Sequence, residues 1–156
     1  MRTDRLLKLA NLLETDATNP QGVKFDLNGW AKPAYMSWST EEDFYDRQTE
    51  TVPVNCGTSA CALGLAAISG IFKDEGFSFT ISPIGILVPF FKDVTTMGFD
   101  AAEEFFEITT HQSYQIFDPN YYPEAEKTGS IGELAVAARI RTLVAEGDLS
   151  INQIDD

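Results

Sequence analysis

The stretch Thr58-Ser59-Ala60-Cys61-Ala62-Leu63-Gly64-Leu65-Ala66-Ala67-Ile68-Ser69-Gly70 decides how the rest of the chain is read. Its apolar residues Ala60, Cys61, Leu63, Leu65, Ala66, Ala67 and Ile68 leave almost no polar face. A helix that is apolar on every side has to be covered on every side. The pattern therefore predicts a buried rod over about 58–70, capped at its start by Thr58 or Ser59 and closed by Gly70, with Gly57 and Gly64 letting another backbone come close. The remaining elements are expected to pack around this rod.

Toward the N-terminus, Leu6, Leu7, Leu9, Ala10, Leu12 and Leu13 recur at helical spacing, which predicts an amphipathic helix from Asp4 to Glu14 with Thr3 or Asp4 as its cap. Polar residues 15–22 break it. Residues 23–55 carry Phe25, Leu27, Trp30, Tyr35, Trp38, Phe44 and Tyr45 without a clear period, and read as an irregular or partly extended wrap pegged to the helices by its aromatics. Within it, Ser39-Thr40-Glu41-Glu42-Asp43 has the composition of a short helix start.

Beyond the rod, the alternation Phe77, Phe79, Ile81 and then Ile84, Ile86, Val88 predicts a small β-hairpin over about 77–90, turning near Ser82-Pro83 or Gly85. A helix from Asp100 through Ile108 places Ala101, Ala102, Phe105 and Phe106 on one side, and Thr109 or Thr110 starts a shorter one that ends before Pro119. Ser130-Ile131-Gly132-Glu133 reads as a reciprocal capping box. The helix it opens runs to about Glu146 and stops at Gly147, with Leu134, Ala135, Ala138, Ile140, Leu143 and Val144 expected inside and Arg139 and Arg141 toward its negative end. The fold class is mainly α with minor β, an α+β domain of about five helices around the 58–70 rod plus the hairpin. A single compact domain over 1–150 is followed by a flexible acidic tail at 151–156.

The 156 residues include 24 acidic and 11 basic side chains, a formal net charge of −13. A field of that sign repels nucleic-acid backbone and anionic lipid and favours basic protein surfaces. No apolar run approaches the ~20 residues needed to span a bilayer. The two cysteines, Cys56 and Cys61, are too few and too close for a disulfide framework, so free thiols in a reducing cytoplasm are expected.

The elements Phe25-Asp26-Leu27 with Trp30, Cys56-Gly57-Thr58-Ser59-Ala60-Cys61-Ala62-Leu63-Gly64, the Phe99-to-Ile108 segment and Ala138-Arg139-Ile140 together form a pattern. It resembles a group of small uncharacterised proteins encoded by bacteria and tailed phages, in which a C-G-T-x-x-C-x-x-G element follows an F-D-x-x-x-W element. The resemblance covers about residues 1–145, and its cysteine element is the specific part. It implies a bacterial or phage setting, with localisation in the host cytoplasm for a phage product, and no activity, so no catalytic residue is carried over from it.

Three function classes follow. The first is a small acidic accessory protein that binds another macromolecule, a basic protein by preference, through the acidic surface and the aromatic segment of Trp30, Tyr35, Trp38, Glu41, Glu42, Asp43 and Asp46. The second is a thiol-dependent hydrolase or transferase using Cys61 or Cys56, activated at a helix start, with His111 as base and Asp118 or Asn120 orienting it. Against it, cysteine also serves as a small buried apolar side chain, and Ala62 stands where the papain group carries an aromatic. The third is a DNA mimic that inhibits a nucleic-acid enzyme. No metal or cofactor is expected, since C-x4-C with one histidine falls short of a structural zinc set and Asp118-Pro119-Asn120 lacks the rest of a calcium loop. Glu103, Glu104 and Glu107 read as the solvated side of their helix.

Overall fold

The computed structural model describes residues 1–19, 23–32, 58–81 and 87–151. Among them are five α-helices, α1 (Thr3–Thr18), α2 (Ala62–Ser69), α3 (Gly98–Phe106), α4 (Thr110–Phe117) and α5 (Gly129–Glu146). Six short strands form two sheets: β1 (Val23–Phe25), β2 (Ala31–Lys32) and β3 (Thr58–Ala60) in the order β1-β3-β2, and β4 (Phe77–Ile81), β5 (Leu87–Phe91) and β6 (Asp93–Met97) in the order β4-β5-β6. The architecture is α+β.

Among the described residues the helices are organised not around the 58–70 rod, as its apolarity predicts, but by α1 and α5, which make the most extensive helix contact. Leu6, Leu9, Ala10 and Leu13 of α1 are buried, and from α5 Val136, Ala137, Ile140 and Leu143 are buried. At the edge of this seam Arg141 donates to both carboxylate oxygens of Glu14 at 2.6 and 2.7 Å and to Asn11. A second cluster of rings, Phe72, Phe77, Phe105, Phe106 and Phe117, fills the space between α2, the second sheet and helices α3 and α4. The Arg5 guanidinium lies 4.1 Å over the Phe105 ring and donates to its carbonyl oxygen, which closes α1 onto α3.

The apolar rod is buried as expected, with Ala62 through Ala67 all covered and Gly70 closing it in the left-handed region. Its start differs. Thr58–Ala60 is a strand, parallel to Val23–Phe25 and antiparallel to Ala31–Lys32, so neither Thr58 nor Ser59 can cap the helix. Cys61 takes that position and its sulfur accepts from the Gly64 N–H. Pairing across the sheet satisfies the backbone of 58–60 without a helix.

The expected hairpin is present as β4 and β5, paired from Phe77↔Phe91 to Ile81↔Leu87, but β5 turns Leu87, Pro89 and Phe91 inward and leaves Val88 half-buried, the opposite of the alternation through Val88; residues 82–86 lie outside those described. Strand β6 is an addition that the alternation did not reveal; it joins β5 through a left-handed Lys92 and an irregular register. Helix α3 buries Ala101, Ala102, Phe105 and Phe106 as anticipated, and α4 opens with a complete capping box between Thr109 and Gln112. Helix α1 continues one turn further than its apolar pattern, to Thr18.

The face of α5 is turned from the expected one. Leu134 and Ala138 are exposed, Ala135 and Val144 are half-buried, and Gly132 and Glu133 are inside. Two constraints set this rotation. The preceding segment is tied to β1 through the Asp26↔Thr128 bridge and the Leu27 N–H on the Lys127 carbonyl, so Thr128, not Ser130, is the cap residue and its side chain caps nothing. Gly132 then meets Phe25, where an added Cβ would lie 2.9 Å from two ring carbons. Glu133 is thereby carried into the seam instead of back to the helix start. Arg139 also reaches beyond its own helix: its guanidinium stacks 3.4 Å over Tyr122 and donates to the carbonyls of Gln115 and Tyr121.

Candidate functional site

Two carboxyl groups, Asp16 on α1 and Glu133 on α5, are 6% and 3% exposed. Each arrives by helical periodicity. Asp16 continues the buried stripe Leu6-Leu9-Leu13, and Glu133 begins the stripe that runs through Val136, Ala137, Ile140 and Leu143. The Asp16 carboxyl lies close enough to Glu133 to favour the protonated form of the latter. Burial first, then the Asp16 hydrogen bond and its charge, push the Glu133 carboxyl up to about 8.

This pair forms part of the wall of an open cleft of about 440 Å³ between α1, the β1-β3 edge and the first turn of α5. Lys24, Asp26, Ser59, Thr128 and Ser130 supply its other polar groups, and Val23 and Phe25 its apolar floor. Asp26 is already occupied: one of its oxygens accepts from the backbone and side-chain amides of Asn28. The chemistry available is that of a proton held and released near neutral pH. Among the described residues no group of three or more His, Cys, Asp or Glu side chains could hold a metal ion.

The thiol candidates are differently placed. Cys61 is 2% exposed inside the core cluster, and burial pushes its thiol up to about 11, although the Gly64 and Leu63 N–H groups at the helix start pull the other way. The helix-terminus stabilisation that a reactive thiolate needs is thus outweighed by loss of solvent. His111 sits exposed in the first turn of α4, and Asp118 caps the 3-10 turn Pro119–Tyr121 by accepting from the Asn120 N–H. Cys56 lies outside the described residues, as do Tyr35, Trp38, Glu41, Glu42, Asp43 and Asp46, together with the short helix expected at 39–43. Trp30, the described member of the aromatic set, is half-buried; it meets Phe99 edge-on at 5.0 Å and lies over Gly98, the role of a peg.

The charge is one-sided because acidic residues outnumber basic ones 24 to 11, and the described arginines are engaged by their own chain. Arg2 pairs with Asp4, Arg5 with Glu75 and Arg141 with Glu14, while Arg139 is spent on carbonyls. By contrast, Asp100, Glu103 and Glu104 share one outer face of α3 at spacings of three and four, and Glu107 follows as the left-handed residue that ends the helix. Glu103 accepts from the Thr110 hydroxyl, and Glu107 stands 4.0 Å from the amino group of Met1. Asp100 and Glu104 are exposed.

No helix among the described residues is long and apolar enough to cross a membrane. No family model, curated protein or solved structure matches the chain.

Proposed function

We propose that the chain acts by binding a basic protein, in a cytoplasm, and that the outer face of α3 is its principal contact. One observation carries this reading: the described arginines are engaged by carboxylates or carbonyls of their own chain, while Asp100, Glu103 and Glu104 line a single helix face with Glu107 at its end. A row of carboxylates strengthens the local negative potential and speeds encounter with a cationic surface. The buried, un-ionised Cys61 thiol and the exposed His111 lend no support to thiol chemistry. A DNA mimic would use the same negative field but compete with duplex DNA for its target.

The test is capture from host extract on the immobilised chain, at low and high salt, beside a variant carrying Asp100→Asn, Glu103→Gln, Glu104→Gln and Glu107→Gln. A basic partner that is lost on raising salt, and lost from the variant, supports the reading. A partner retained equally by the variant overturns it, and displacement of that partner by duplex DNA selects the mimic instead.

A further inference from the structure

The outer face of α5 carries exposed apolar side chains in a row. Ile131 is 64% and Leu134 46% exposed, and the exposed residues Ala138, Thr142 and Ala145 continue the same face at spacings of three and four. Arg141 at its edge is held by Glu14. Since the opposite side of α5 is packed on α1, the helix is apolar on both sides, the pattern of an element covered on both sides.

We propose that this face docks a second copy of the chain, α5 against α5 in antiparallel orientation about a two-fold axis at Ala138. The face is complementary to itself in that arrangement. Ile131 comes opposite Ala145 of the second copy, Leu134 opposite Thr142, and Ala138 opposite its own equivalent, so each large side chain meets a small one. Charge agrees at both ends. Glu146 is brought to the first turn of the other α5 beside Ser130, where the free N–H groups have no side-chain cap, and a carboxylate at a positive helix end is favourable. A single helix pair is a small contact, so the dimer is weak and concentration-dependent. The net charge of −13 on each copy opposes it, so added salt tightens this association, whereas it loosens the one proposed for α3.

Sedimentation velocity of the full chain over a range of concentrations, at low and high salt, tests the proposal. The expected result is a monomer–dimer equilibrium that strengthens with salt, and a dissociation constant raised at least about tenfold by Leu134→Asp, which corresponds to a lost contribution of ~1.4 kcal/mol. Leu134 is exposed, so this variant should melt with the wild type; Ile131→Lys is a second substitution on the same face with the same expectation. In a Cys56→Ser background, Ala138→Cys should cross-link the copies under oxidation faster than Leu134→Cys, because only the residue on the axis faces its own equivalent. A monomer at every concentration, a dimer indifferent to both face variants, a dimer that loosens with salt, or faster cross-linking at 134 each overturns the proposal.

Discussion

Replacing Glu133 by glutamine tests the carboxyl pair through the pH dependence of stability. The Glu133 carboxyl is raised to about 8 in the fold from an ordinary value of 4.5, with burial as the first cause and the Asp16 hydrogen bond and charge behind it. The folded state therefore holds this proton more tightly than the unfolded chain does. Its contribution is complete below pH 4.5 and is lost as pH rises through about 8. The full gap corresponds to an upper limit of ~5 kcal/mol. The cleft is open, and water entering it screens the ionised pair, so a loss of roughly 2–3 kcal/mol between pH 5 and 9 is expected. In a chain of this length that is a fall in Tm of roughly 5–10 °C. Asp16, Asp26 and Lys24 are the charged groups sharing the cleft with Glu133. Glutamine keeps a donor for Asp16 and cannot ionise, so Glu133→Gln should flatten the profile over this range. Thermal melts followed by circular dichroism from pH 5 to 9 provide the measurement. Parallel decline in wild type and variant, or a wild type that gains stability with pH, would refute the argument, because the general effect of net charge is common to both.

Other substitutions address the packing and the thiol. Gly132→Ala puts a Cβ 2.9 Å from the Phe25 ring and 3.0 Å from the Glu126 carbonyl, and should cost roughly 1–3 kcal/mol in urea unfolding; a neutral outcome means that α5 does not approach β1 so closely. Cys61, with its thiol raised to about 11, should resist iodoacetamide at pH 8 in the folded chain and react once denaturant is added, read by mass spectrometry of the peptide containing it; rapid labelling of the native protein contradicts its burial.

What was legible in the sequence was local. Strand β4, the capped start of α4, the apolar side of α3 and the burial of 62–67 follow from periods and caps that span a few residues, whereas the alternation through Val88 points to the wrong face of β5. Long-range pairing was not. Thr58–Ala60 reads as a helix start until Val23–Phe25 and Ala31–Lys32 lie beside it, and nothing within the segment announces those partners. The carboxyl pair was missed for a different reason. Charged residues lie outside by default, so the local pattern puts Glu133 at a cap and Leu134 in the core, although Gly132 against Phe25 requires the reverse. A signal was present in α1, where Asp16 falls in step with Leu6, Leu9 and Leu13, and a carboxylate in an apolar stripe asks for a partner.

The seam between α1 and α5 also governs the order in which the protein can mature. Glu14 and Arg141 are separated by 127 positions, so during synthesis the first helix emerges long before the surface that shelters it. Its leucines must wait, covered by other contacts or by a chaperone, until residues 129–146 have left the ribosome. Closure of the fold is consequently a late step, and a nascent chain stalled before α5 would leave that apolar stripe open to aggregation.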